Sequence, residues 1–187
     1  MSTFRTGGFV KLCFVLLLAA LAGVCACSKK KEAAPPEERT ANVTIERTMM
    51  APDVSLRSLD GSAPFISDYK RKIVLLNFWA TWNVDCREQI KALTEIAEEY
   101  ERYQIVVLGV AIDEGGAGAL SSFLQTNQVK YPVFYNGAEV AAKFGGVRKL
   151  PTTFFIARDG RIYEKVLGAR TKSFYRMKIK EIMSQRL

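Results

Sequence analysis

Histidine is absent from the 187 residues, and cysteine occurs only four times, as Cys13, Cys25, Cys27 and Cys86. Without histidine a Cys-His nucleophile pair is excluded. Zinc, haem and iron–sulfur sites lose most of their usual ligands too, so no metal and no cofactor is expected. No basic stripe interleaved with aromatics stands out, and nucleic-acid binding is not expected. No internal repeat is visible, and no apolar run reaches the roughly 20 residues of a membrane span. What the chain does hold is 49 % apolar residues, enough to build a core. Its 27 basic residues exceed its 19 acidic ones, for a formal charge of +8, but the two signs are interleaved.

The N-terminus reads as a targeting segment. Arg5 and Lys11 form a positive region, and residues 12–24 form an apolar stretch of signal-peptide length. The run Ala22-Gly23-Val24-Cys25-Ala26-Cys27-Ser28 resembles the lipobox of bacterial lipoproteins. Cys27 is the expected lipidated residue, because the small Ala26 precedes it and Val24 lies three before it. Cys25 is the alternative, and an ordinary secretory signal or an uncleaved anchor is a further reading. Each places the domain outside the cytoplasm. Residues 28–50 carry Lys29-Lys30-Lys31 and Pro35-Pro36-Glu37-Glu38 with few large apolar side chains. Such a composition cannot bury enough surface to offset ordering entropy and reads as a tether. The lysine triplet is either a solvated spacer or a contact to anionic headgroups. The expected organisation is a signal peptide over 1–26, a lipidated cysteine and linker over 27–50, and one domain over 51–187. Cleavage removes Arg5 and Lys11, so the charge falls from +8 to +6. If Cys27 is lipidated after that cleavage, Cys13 and Cys25 leave too, Cys86 is the sole free thiol and an intramolecular disulfide is then impossible.

Within the domain, residues 54–59 alternate apolar and polar before the turn signal Asp60-Gly61. Residues 73–78 are a continuous apolar run, as in a strand buried on both faces. Residues 84–103 show helical spacing through Ile90, Leu93, Ile96, Ala97 and Tyr100. Strands are then expected over 105–112, 131–135, 152–157 and 161–167. Helices are expected over 120–128, 138–144 and 171–185. Early strand–helix alternation implies parallel crossovers, and the late hairpin at Asp159-Gly160 adds antiparallel strands. The fold class is α/β, a mixed central β-sheet with helices on both faces.

Three motifs add to this order. They are Leu76-Asn77-Phe78-Trp79-Ala80-Thr81-Trp82, the helix and strand inserted between Asp113 and Tyr135, and Leu150-Pro151-Thr152-Thr153-Phe154 followed by Arg158-Asp159-Gly160-Arg161. Together they resemble the thioredoxin superfamily, and within it the TlpA/ResA-type branch of membrane-anchored thiol–disulfide reductases. The similarity covers about residues 51–168. It implies a thioredoxin-like fold and a cis peptide bond at Pro151. It also implies a groove in which Trp82, residue 83, Leu150, Pro151 and Thr152 receive an extended polypeptide or a redox protein partner.

The chain departs from that family where the chemistry lies. The pattern Trp-Cys-x-x-Cys is expected, and this chain reads Trp82-Asn83-Val84-Asp85-Cys86. Exchange needs an attacking thiolate and a second thiol to resolve the mixed disulfide, and only the second sulfur remains. Three residues beyond Cys86, where the family often has an acid, stands Gln89. Glu88 comes one residue early and points about 100° away. Asn83 suits its place as an N-cap, a role in which asparagine is among the best residues. Cys86 is either a small buried remnant or a monothiol able to form mixed disulfides or a sulfenic acid. Trp79 reads as core and Trp82 as exposed. Arg87 reads as an exposed first-turn charge, and Asp113 and Glu114 as a solvated loop. Three functions compete. The first is a lipid-anchored binding module that has lost two-cysteine exchange. The second is a monothiol oxidoreductase, reductase-like or peroxidase-like, using Cys86 with an external resolving thiol. The third is a structural subunit acting through another face.

Overall fold

The computed structural model describes residues 49–185. The signal segment, Cys27 with its alternative Cys25, and most of the linker lie outside the described residues. Strand β1, Ile73–Trp79, is the apolar run extended by one residue and buried along its whole length. It lies at the centre of the sheet. On one side it pairs in parallel with β2, Ile105–Ala111, in the register Ile73↔Ile105. On the other it pairs antiparallel with β4, Thr152–Ile156, in the register Val74↔Ile156. The two-residue β3, Val133–Phe134, and the strand β5, Ile162–Leu167, form the edges, giving the order β3-β2-β1-β4-β5.

Four helices connect and cover these strands: α1 Val84–Tyr100, α2 Gly116–Thr126, α3 Gly137–Lys143 and α4 Lys172–Ser184. The side chains of β1 alternate between faces, as a strand's must. Val74, Leu76 and Phe78 join Phe154 of β4 and Val140, Ala141 and Phe144 from the α3 region. Phe78, Phe144 and Phe154 meet edge to face, with centroids 5.0–5.9 Å apart. On the other face Ile73 and Leu75 join Leu93, Ile96 and Tyr100 of α1 and Tyr175, Ile179 and Ile182 of α4. Helices on both faces of a mixed sheet match the expected class.

The first expected strand is a correction. Residues 54–59 make only isolated bridges, Ser55↔Phe65 and Ser58↔Phe134. The side chain of Asn136 occupies the ladder position instead. Its Oδ1 accepts from Arg57 N at 2.9 Å and its Nδ2 donates to Ser55 O at 2.9 Å. The turn at Asp60-Gly61 does form, with Gly61 at φ +85°. Helix α2 begins at Gly116 rather than residue 120, because its first turn is Gly-Ala-Gly, whose low helix propensity hides it. Strand β3 is cut to two residues, since Pro132 beside it has no N–H to give to a ladder.

Candidate functional site

The site lies where β1 ends and α1 begins. After Trp79 the chain turns through Ala80, Thr81 and Trp82 into the N-cap, Asn83. Asn83 has extended backbone, φ −90° and ψ 124°, and its Oδ1 accepts from Cys86 N at 3.1 Å. The amide therefore satisfies one of the helix's orphan N–H groups. Asp85 follows in the first turn, on the positive end of the helix dipole.

Cys86 faces inward and has no exposed surface. It packs with Trp79, Ile90, Ala111, Leu120 and Val133, with Leu150 against the same cluster. Burial pushes its thiol up to about 11. The carboxylates of Asp85 and Asp113 add to the shift, and a backbone hydrogen bond at Ala80 opposes it. At pH 7 only about one thiol in ten thousand is then the nucleophilic thiolate.

The tryptophans divide as their positions suggest: Trp79 is fully buried and Trp82 is 64 % exposed. Trp82 overlooks a depression of about 550 Å³ lined also by Thr81, Ile112, Asp113, Glu114, Gly115 and Ala119. None of Leu150, Pro151 and Thr152 lines that depression. The Leu150–Pro151 bond is cis. Leu150 is half-buried, while Pro151 and Thr152 are buried. The Thr152 hydroxyl donates to Lys149 O at 2.6 Å, and its backbone lies between Phe78 of β1 and Leu167 of β5, so this residue is built into the sheet. Arg87 is exposed, and its Nε donates to Thr81 O at 3.2 Å.

Two features escape sequence reasoning. The first is Asp113, read there as a loop acid. It accepts from Thr81 N at 3.1 Å and from Thr81 Oγ1 at 2.7 Å, tying the loop after β2 to the loop after β1. The second is a buried polar cluster under α1. Gln89 Nε2 donates to Asn77 Oδ1 at 2.6 Å and to Thr153 Oγ1 at 3.0 Å, and Thr153 Oγ1 lies 3.3 Å from the Tyr175 hydroxyl. Burial holds the Tyr175 phenol well above its ordinary value. The position three beyond Cys86 thus faces β1 and β4 with a neutral amide. Among the described residues no three potential metal ligands come together.

The architecture defines a thioredoxin-like protein related to thiol–disulfide oxidoreductases. The chain belongs to the AhpC/TSA family, whose model matches residues 48–165. A relative in Bacillus thuringiensis subsp. konkukian, the thiol–disulfide oxidoreductase ResA, is 30 % identical over 132 residues, 71 % of this chain and 76 % of the relative. Among solved structures, the putative thiol:disulfide interchange protein DsbE from Chlorobium tepidum superposes with a TM-score of 0.69 at 24 % identity. That match covers 75 % of this chain and all of the neighbour. The exposed lipoprotein thioredoxin Etrx1 from Streptococcus pneumoniae gives a TM-score of 0.62 at 29 % identity over 70 % of this chain and 99 % of its own.

Proposed function

We propose that this chain is an extracytoplasmic, lipid-anchored member of the family that has lost two-cysteine exchange and serves as a binding module. Its ligand is an extended polypeptide or a redox protein partner, held at the surface around Trp82, Asn83 and the Leu150–Pro151 turn. The observation that carries the reading is the pair Asn83 and Cys86. Where the exchange reaction needs an attacking thiolate, an amide caps the helix through Cys86 N. The sulfur that remains is fully buried and protonated at neutral pH. Two features that support a binding surface are the exposure of Trp82 and the cis Leu150–Pro151 bond. The lipobox-like run at Cys27, and the likeness to a protein described as an exposed lipoprotein thioredoxin, support the anchored location.

The test is insulin-disulfide reduction by the full-length chain in detergent, beside its Asn83→Cys variant. The native chain is expected to be inert and the variant to turn over. Turnover by the native chain would overturn the reading and make Cys86 a working monothiol. An inert variant would show that more than the nucleophile has been lost.

A further inference from the structure

The end of the sheet opposite Trp82 and Pro151 has a chemistry of its own. Strand β1 runs from Ile73 at this end to Trp79 at the site, six steps of about 3.3 Å, so the two ends lie about 20 Å apart. At the far end the chain enters the domain. Met49 O accepts from Ile162 N at 2.8 Å, Met50 bridges Arg161, and Ala51 N donates to Gly160 O at 2.8 Å. Both methionines are more than half exposed. Beside them, the turn into β1 carries Lys70, Arg71 and Lys72 in succession, and Arg71 N donates to Arg158 O at 3.1 Å. None of these four cations has a carboxylate within ion-pair distance among the described residues.

The acids at this end are already engaged or outnumbered. Asp53 accepts from Ser67 N, Asp68 accepts from Phe65 N, and Asp159 pairs with Arg161 at 3.3 Å. Glu101 and Arg102 offset each other in the short 3-10 turn before β2. A cavity of about 160 Å³ opens between the methionine segment and the turn, walled by Ala51, Ile66, Val74 and Ile156 and rimmed by Lys70 and Lys72. Unpaired cations, exposed methionines and an apolar recess at the point of chain entry fit a surface that is anionic outside and apolar beneath.

We propose that this end, formed by Met49, Met50, Lys70, Arg71, Lys72 and Arg158, rests on an anionic lipid surface and turns the Trp82 end outward. The inference uses the membrane-tethered reading above and goes beyond it. The 21 residues from Ser28 to Thr48 can reach about 70 Å when extended, so the tether alone sets no orientation. Held that close to the membrane, even a weak contact is well populated, because the second binding event is intramolecular.

The test reconstitutes the full-length chain in nanodiscs of phosphatidylcholine, with and without phosphatidylglycerol, and follows backbone hydrogen exchange over residues 69–73 and 158–162. On anionic discs these amides are expected to slow by about three- to tenfold relative to neutral discs, and the gain is lost in high salt. A Lys70→Glu/Lys72→Glu double variant, whose circular dichroism checks its fold, is expected to show no such gain. Equal protection on both lipids would overturn the proposal, since no charge would then be recognised. Absence of protection in a chain that stays with the disc would overturn it and leave the tethered reading standing. A chain that leaves both discs would overturn the two together.

Discussion

At position 83 the amide does the structural half of a cysteine's work and none of the chemical half. As an N-cap it contributes about 1 kcal/mol relative to alanine, so the helix start needs no sulfur. Three residues on, Cys86 is a core side chain whose titration is linked to stability. Burial raises its thiol to about 11, so the folded state binds this proton more tightly than the unfolded chain does. That stability is complete below the unfolded value near 9 and drains away as pH climbs toward 11. Urea midpoints measured from pH 8 to 11 are expected to fall, and to fall less steeply in Cys86→Ala. Parallel curves would show that the thiol is not buried in solution. The cap was legible in the sequence because both partners lie within one turn. The Thr81–Asp113 tie was not, because its partners are 32 residues apart and only the parallel pairing of β1 with β2 brings them together.

At the scale of elements, what the sequence revealed follows from how locally each element is specified. The run 73–78 and the periodic stretch from Ile90 to Tyr100 carry their own burial pattern, and both elements form where expected. Residues 54–59 carry a strand's alternation yet form only isolated bridges, because their backbone bonds are divided: Leu56 N and Ser58 N donate across the turn to Pro64 O and Ser62 O, while Asn136, some 80 residues away, takes Arg57 N and Ser55 O. The placing of α3 is likewise non-local. A Cβ on Gly137 would sit 2.2 Å from Ala111 O and 2.5 Å from a methyl of Ile112, so only glycine lets α3 start this close to the end of β2. Gly137→Ala is expected to cost at least the 1–3 kcal/mol typical of overpacking, since backbone rather than a flexible side chain must yield. Chemical denaturation measures this, and a loss below about 0.5 kcal/mol would mean that α3 shifts freely on the sheet.

At the scale of the whole molecule, the fold class was readable because strand order and hairpin signals restrict the topology to few choices. The surface was less readable. Trp82 and Pro151 were expected in one groove, but the depression beside Trp82 opens toward Asp113 and Glu114, because Thr81 and Asp113 clamp those two loops together. The distribution of charge and apolar groups between the two ends of the sheet was hidden altogether, since residues 49–50, 70–72 and 158 meet only after the strands pair. The chain's two tryptophans report on this polarity. Trp79 is shielded under α1 and Trp82 stands at the outward end, so a neutral quencher such as acrylamide should reach one of the two. In the full-length chain on anionic nanodiscs the reachable emission is expected to match that in detergent, and Trp82→Phe is expected to abolish it. If the lipid instead shields Trp82, the binding end faces the membrane, and a polypeptide partner would have to approach along the bilayer rather than from the open compartment.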